Sequence, residues 1–310
     1  MTLQQLEYII AIAQYGRFVE AAEACGVTQS TMSLMVKKLE EELDVRIFNR
    51  ETHPVTVTEI GRKIIDEAKL VVYHSKQLVE LTRSEKELSS GNLNIAMTTT
   101  VAPVLMAGMF KFIKVHYPSL RLRTEEMITS TILTKLKKAE IDMGIVAFSV
   151  SDPELLEVPL YHERFYVYVS PEDAMMQLES IEKAHVLDHP VWIMRDGVQL
   201  FDRSMLKLKS DEVFTYEKMY EGGRVGVLIQ IANENGGITI IPETHIRLLP
   251  ESMKRCLKPI INPEPKRTIC LAFRKDYIHE RMMNIVVKTV KTIIPSEMWD
   301  DTIRTDYLRL

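Results

Sequence analysis

The chain has 310 residues, 46% of them hydrophobic and 26% charged, with a formal net charge of −4. That length accommodates two or three domains with cores of their own, and the composition is that of an ordinary globular protein. It excludes several classes: no run reaches the ~20 apolar residues of a membrane helix, the first residues lack a basic secretory n-region, and three scattered cysteines (Cys25, Cys256, Cys270) make neither a disulfide framework nor a metal pattern. A cytoplasmic protein without a cofactor is the expectation. The acidic balance weighs against nonspecific nucleic-acid binding but leaves room for locally placed cations.

The first ninety residues read as helical almost throughout. In "FVEAAEACGVTQSTMSLMVKKLEEEL" (18–43), Ala21, Ala22 and Cys25 make a short helix that Gly26 ends, and Val27 plugs the turn. Thr28 stands where an N-cap belongs. The next helix carries Met32, Val36, Leu39 and Leu43 at spacings of four, three and four, one buried stripe. Two helices joined by a short turn, the second with a polar outer face at its start, form either a helix-turn-helix or an ordinary solvated hairpin. In the first case Gln29, Ser30, Thr31, Ser33 and Leu34 face base edges, and Lys37 and Lys38 suit phosphates.

"LDVRIFNRETHPVTVTEIG" (43–61) then supplies a short two-stranded wing with Arg46, Arg50 and His53. The series Phe18, Ala21-Ala22, Val27-Thr28-Gln29-Ser30, Ser33, Leu39-Glu40, Leu43, Phe48-Asn49-Arg50, Val57-Thr58 and Gly61 resembles the N-terminal domain of LysR-type transcriptional regulators, in register over about sixty residues. The resemblance implies an α plus α/β chain: a winged helix-turn-helix binding paired half-sites of double-stranded DNA, a long dimerising linker helix, and a two-lobed effector domain with a periplasmic-binding-protein-like fold. Residues 1–58, 59–90 and 91–310 are the expected domains. Lobe I takes 91–163 and 268–310, and lobe II takes 164–267. Leu34 and Met35 depart from the Arg or Gln frequent in the family. Met1–Lys63 holds seven cations against nine carboxylates, which predicts few phosphate contacts and a shallow salt dependence.

From Thr58 to Leu88, Ile64, Ala68, Val71, Ser75 and Leu78 recur in fours and threes, and Ile65, Val72 and Val79 form a second seam. Two such helices side by side satisfy both seams and make a homodimer or homotetramer. A helix lying on the α/β domain is the other reading.

After Ser89-Ser90-Gly91-Asn92, strands are predicted at Leu93–Met97, Leu120–Glu125, Asp142–Val146, Arg164–Val169, Val191–Met194, Ile238–Ile241 and Thr268–Phe273. Helices are predicted at Val101–His116, Ser130–Ala139, Leu200–Lys207, Val225–Asn233 and Tyr277–Ile293. "LKKAEIDMGIV" (136–146) and "NGGITIIP" (235–242) resemble the family's effector domain, although Ala139 replaces its usual glycine.

Three polar clusters converge on the cleft that the resemblance implies. Thr98-Thr99-Thr100 and Thr129-Ser130-Thr131 precede helices, so they serve as N-caps or hold a small polar or anionic effector through Thr99, Thr100, Thr129 and Ser130. The third, "RDGVQLFDRSMLKL" (195–208), resembles the sensing loop of the OxyR-like, peroxide-sensing branch of the family. Gln199 stands at its reactive-cysteine position and Leu208 at that of the resolving cysteine, so disulfide sensing at this loop is chemically excluded. Gln199 and Asp202 are instead candidate effector contacts. A redox regulator using Cys256 and Cys270 is the alternative, if those thiols approach one another near the lobe crossing. No His or Cys stands beside a plausible base in the cleft segments, and no glycine-rich phosphate loop appears, so an enzyme is not expected.

Overall fold

The computed structural model describes residues 1–52, 54–81, 91–147, 152–187, 189–193, 224–262 and 264–301. His53, Gln199, Asp202 and the predicted helix 200–207 lie outside the described residues. Among the described residues no helix is long and apolar enough to cross a membrane.

The N-terminal unit opens with α1 (Leu3–Tyr15), started by a capping box. The Thr2 hydroxyl accepts from the Gln5 amide, and the Gln5 side chain accepts from the Thr2 amide. Gln5 also donates to the Met35 carbonyl at 3.1 Å, which ties α1 to the third helix. Helix α2 (Phe18–Ala24) ends at Gly26, whose φ of 67° is a left-handed value that glycine adopts without strain. Helix α3 (Gln29–Leu43) buries Met32, Val36 and Leu39 as its spacing requires, while Leu43 is exposed at the helix end. Strands β1 (Phe48–Asn49) and β2 (Thr56–Val57) pair antiparallel as the wing. The Val55 amide donates to the Gly16 carbonyl and pins the wing to the end of α1.

Helix α4 (Glu59–Leu81) divides its apolar residues differently from the two expected seams. Ile65, Ala68 and Val72 are buried in one core with Ile9, Ile12 and Leu39, whereas Val71, Leu78 and Val79 are exposed. Positions 65, 68 and 72 share the face turned to α1, and 71 and 78 lie off it by the 3.6-residue period; Val79 shares the first face but stands two turns beyond Val72 and is exposed.

Among the described residues, the C-terminal unit is built on an eight-stranded mixed sheet. Strands β3 (Gly91–Met97), β4 (Leu120–Glu126) and β5 (Met143–Ala147) are parallel, with β3 between the other two. Helices α5 (Ala102–His116) and α6 (Thr129–Lys137) follow β3 and β4, the βαβ arrangement that parallel pairing demands. Strand β6 (Leu155–Val169) is the long spine of the unit. Only its last six residues, Arg164–Val169, were expected, because Pro159 interrupts the apolar alternation and a register shift falls opposite Ile269/Cys270. A short helix α7 (Lys183–Leu187) precedes β7 (Val191–Trp192), which runs parallel to β8 (Ile238–Pro242). Helix α8 (Val225–Asn235) leads into β8, and a 3₁₀ turn (Glu243–Leu248) leaves it. Helix α9 (Glu251–Lys254) and β9 (Leu257–Pro259) come before β10 (Lys266–Arg274), and α10 (Glu280–Ile293) packs on α5.

The pairing of β6 changes along its length. Residues 155–164 pair with β10, and residues 165–169 pair with β8. One strand therefore joins two halves of the sheet, one carrying β4-β3-β5-β10 and the other β8-β7, with β9 also on β6. The crossing falls between Arg164 and Phe165.

Ala139 follows α6 at φ 52°, a left-handed position. Its amide donates to the Leu136 carbonyl and that of Glu140 to the Lys135 carbonyl, a helix-closing motif that favours glycine. Ala139→Gly is expected to stabilise the chain by roughly 0.5–1 kcal/mol, the left-handed penalty removed less the extra unfolded-state entropy. A higher melting temperature checks this.

Candidate functional site

The start of α3 is organised by Thr28. Its hydroxyl caps the helix by accepting from the Thr31 amide at 3.2 Å, and it shares hydrogen bonds with the Ser30 and Thr31 hydroxyls at 3.0 and 2.8 Å. Those three side chains satisfy one another. Gln29 and Leu34 stand beside them on the exposed face, with Ser33 half-buried, and Leu34 keeps 54% of its surface in solvent. Lys37 and Lys38 follow one turn later, also exposed.

Between α3 and the wing runs a groove of about 810 Å³ whose lining includes Lys37, Arg46, Asn49 and Arg50, together with Glu40, Glu41, Asp44 and Glu51. Arg50 donates to Glu40 at 2.7 Å and lies 5.4 Å from the centroid of the Phe18 ring. The other oxygen of Glu40 accepts from the Ile47 and Phe48 amides, so one carboxylate fixes both the wing strand and its arginine. Cations and carboxylates are interleaved here, which keeps the phosphate-neutralising charge small.

In the C-terminal unit, the expected Thr clusters fall at one edge of the sheet. Met97 and Glu126 end β3 and β4 side by side, and the Met127 amide donates to the Met97 carbonyl. Thr98–Thr100 and Thr129–Ser130 therefore leave the carboxyl ends of adjacent parallel strands, the edge at which ligands of open α/β sheets bind. Thr99 and Thr129 are half-buried and Ser130 is exposed. N-capping does not account for the first cluster. Helix α5 is capped by Val101, with no side-chain cap bond.

Thr100 is buried and its polar atoms are committed inward. Arg267 Nη1 donates to its hydroxyl at 2.9 Å, and His245 Nε2 donates to its carbonyl at 2.7 Å. Arg267 Nε donates to Glu163 at 2.7 Å, with both side chains almost wholly buried at 2% and 0% exposure. The second Glu163 oxygen accepts from the Thr244 hydroxyl at 2.5 Å and the Thr244 amide at 3.2 Å. Next door on the surface, Arg164 donates to Glu243 at 2.6 Å and its neighbouring nitrogens at 3.1 Å. The sequence reading missed Glu163, Thr244, His245 and Arg267. The signal available was one charged residue inside each of two strand-like runs, Glu163 within "LYHERFYVYV" and Arg267 near the start of "KRTICLAF".

Burial pushes the His245 imidazole below its ordinary 6.5, although the Thr100 carbonyl favours the protonated ring. The unfolded chain then takes up a proton near 6.5 that the folded chain resists. Stability should fall as pH drops below 6.5, and it is fully present above that value. A comparison of melting temperatures at neutral and mildly acidic pH should show a smaller drop for His245→Asn than for the parent. An equal drop would remove His245 from the account.

Cys256 and Cys270 do not approach one another. The Cys256 carbonyl accepts from the Val169 amide, while Cys270 is in register with Pro159. Ten residues of β6 separate those points, about 30 Å of strand. A disulfide needs Cα atoms within about 7 Å. Both thiols are buried, and burial, reinforced by Glu157 and Asp300, pushes Cys270 up to about 12.

The comparisons with known proteins agree with this architecture. Residues 3–62 match the bacterial regulatory helix-turn-helix proteins of the lysR family, and residues 86–292 match the LysR substrate binding domain. The chain is similar to the hydrogen peroxide-inducible genes activator of Haemophilus influenzae, 28% identical over 304 residues that span 95% of this chain and 99% of the relative. It is 29% identical to the DNA-binding transcriptional dual regulator OxyR of Escherichia coli, over 88% of this chain and 90% of that one. A full-length OxyR variant from Pseudomonas aeruginosa superposes with a TM-score of 0.81 at 25% identity, covering 97% of this chain and 98% of that one. The chain belongs to the LysR family of DNA-binding transcriptional regulators, with an effector-binding domain behind its helix-turn-helix.

Proposed function

We propose that this regulator binds paired DNA half-sites as a homo-oligomer and responds to a small polar or anionic effector held at the carboxyl edge of β3 and β4. The observation that carries the reading is the juxtaposition of Thr99 with Thr129 and Ser130 at that edge. Gln199 and Asp202 are proposed to complete the site. On DNA, Gln29, Ser33 and Leu34 read bases, with Leu34 suited to a thymine methyl, and Lys37 and Arg50 contact phosphates. His53, between the two wing strands in sequence, is proposed to join them. The exposed Val71 and Leu78, two turns apart on one face of α4, supply an apolar stripe that a second copy of the helix covers.

The test is a thermal-shift screen of the full chain against small carboxylates, phosphates and polar metabolites, since a bound ligand raises the melting temperature by mass action. A hit that Thr99→Val and Thr129→Val both weaken supports the site. A hit indifferent to both substitutions removes it. Mobility shift on DNA upstream of the protein's own gene tests the other half, and no retarded band at any salt concentration would refute it.

The names of the relatives favour a second reading, a response to hydrogen peroxide. With Cys256 and Cys270 far apart, it requires another thiol arrangement. A thiol held near 12 is thiolate in only about one molecule in 10⁵ at pH 7. Alkylation of Cys270 in the native protein is therefore expected to be negligible over the time in which free cysteine reacts fully. Rapid labelling, or a mass gain of one or more oxygens at Cys256 or Cys270 after peroxide, would favour the redox reading.

A further inference from the structure

The hydrogen bonds around Thr100 close into a ring that crosses the two halves of the sheet. Thr100 receives Arg267, Arg267 binds Glu163, Glu163 receives Thr244, and the next residue, His245, returns to the Thr100 carbonyl. Thr100 and Arg267 belong to the half built on β3, β5 and β10. Thr244 and His245 sit on the 3₁₀ turn that leaves β8, in the other half. Glu163 is on β6, two residues before that strand exchanges β10 for β8 as its partner.

We propose that Glu163 and His245 are positioning residues for the Thr98–Thr100 turn, and that the ring makes the state of this turn and the angle between the halves a single equilibrium. A rotation of the halves about the crossing displaces Thr244 and His245 relative to Thr100. The ring then either opens or drags the turn with it. Opening it leaves the Glu163 carboxylate without its two Thr244 donors and the Thr100 carbonyl without His245 in a water-free interior, which is costly enough to disfavour intermediate arrangements. Two discrete arrangements, each favoured by different contacts, are what an effector needs in order to shift a population. The ring also supplies contact between the turn and the remote half, which a claim of coupling requires. This inference rests on the reading that Thr99 lies at the effector site, but its test uses no effector.

Coupling of this kind is reciprocal. In the full-length protein, Thr100→Val is expected to speed hydrogen exchange of the Thr244 amide, which donates to Glu163, by about tenfold. Thr244→Val is expected to speed exchange of the Val101 and Ala102 amides, which close the turn on the Thr98 carbonyl, by a similar factor. Both variants should alter the nuclease footprint on DNA upstream of the protein's own gene in the same direction, and Thr100→Ser, which keeps the hydroxyl, should restore both readouts. Exchange that changes only beside the substituted residue overturns the proposal. So do coupled exchange rates with an unchanged footprint, because the ring would then be a fold-holding device alone. Failure of the ligand screen would instead count against the effector site and leave these outcomes to decide the ring.

Discussion

Replacing Glu163 with alanine is expected to destabilise the C-terminal unit by about 3–5 kcal/mol, because it strands the Arg267 guanidinium in the interior. Glu163 is the only carboxylate among the described residues that the structure pairs with Arg267, and neither side chain has meaningful contact with solvent. What would remain for Arg267 is the Thr100 hydroxyl, a neutral acceptor, and the face of the Phe165 ring at 5.4 Å. Thr244 would lose the acceptor for both its hydroxyl and its amide. The exposed Arg164–Glu243 pair beside it cannot compensate, since charges in water contribute little. Replacing both partners together, Glu163→Met with Arg267→Met, should recover most of the loss, because two apolar chains carry no desolvation cost. That double variant would still lack the hold on Thr100, so it separates stability from positioning. Urea unfolding followed by circular dichroism measures both. A loss below about 1 kcal/mol in Glu163→Ala would show that water reaches Arg267 and that the pair is not a buried one.

The reason this pair escaped the sequence, while the DNA-binding unit did not, lies in the range of the interactions. Thr28, Gly26 and the Met32, Val36, Leu39 stripe are set by neighbours within a few turns, and local chemistry writes them into a short stretch of chain. Strands β3, β4 and β5 were legible for the same reason, as apolar runs between helices. The spine β6 was legible only in its last six residues, where Phe165, Val167 and Val169 face one core; its earlier part is held by β10, about a hundred residues away. Glu163 and Arg267 are 104 residues apart, and nothing near either one announces its partner. The Thr98–Thr100 cluster was legible as polar and misread in detail. Hydroxyls before a helix suggest caps, yet Thr100 turns inward to an arginine that arrives from β10. The seams of α4 show the opposite limit: their periodicity was plain, but which face meets α1 and which is left exposed depends on packing that one helix does not encode.

Gly61→Ala is expected to be the most damaging single methyl group added to the DNA-binding unit. A Cβ at position 61 would lie 2.2 Å from the Ile47 carbonyl oxygen, 2.9 Å from the Ile47 carbonyl carbon and 2.9 Å from the Thr58 hydroxyl. These are not atoms that step aside. The Ile47 carbonyl already accepts from the Thr58 amide and hydroxyl, its own amide is held by Glu40, and its side chain is fully buried. Helix α4 would have to withdraw from the wing, taking Ile65, Ala68 and Val72 out of register with α1. Overpacking against backbone costs about 3 kcal/mol, which outweighs the roughly 1 kcal/mol that alanine gains over glycine in a helix. Gly226 provides the control. It too is helical, in α8, but a Cβ there meets nothing within 4 Å, so Gly226→Ala should be neutral or stabilise by up to about 1 kcal/mol. The two substitutions therefore have opposite expected signs from the same change in chemistry. Thermal melts of both full-length variants decide it, together with mobility shift on DNA upstream of the gene, where Gly61→Ala should lose retardation because the wing that carries Arg50 is displaced. If Gly61→Ala melts and binds like the parent, the close approach of α4 to Ile47 does not govern the placement of the wing.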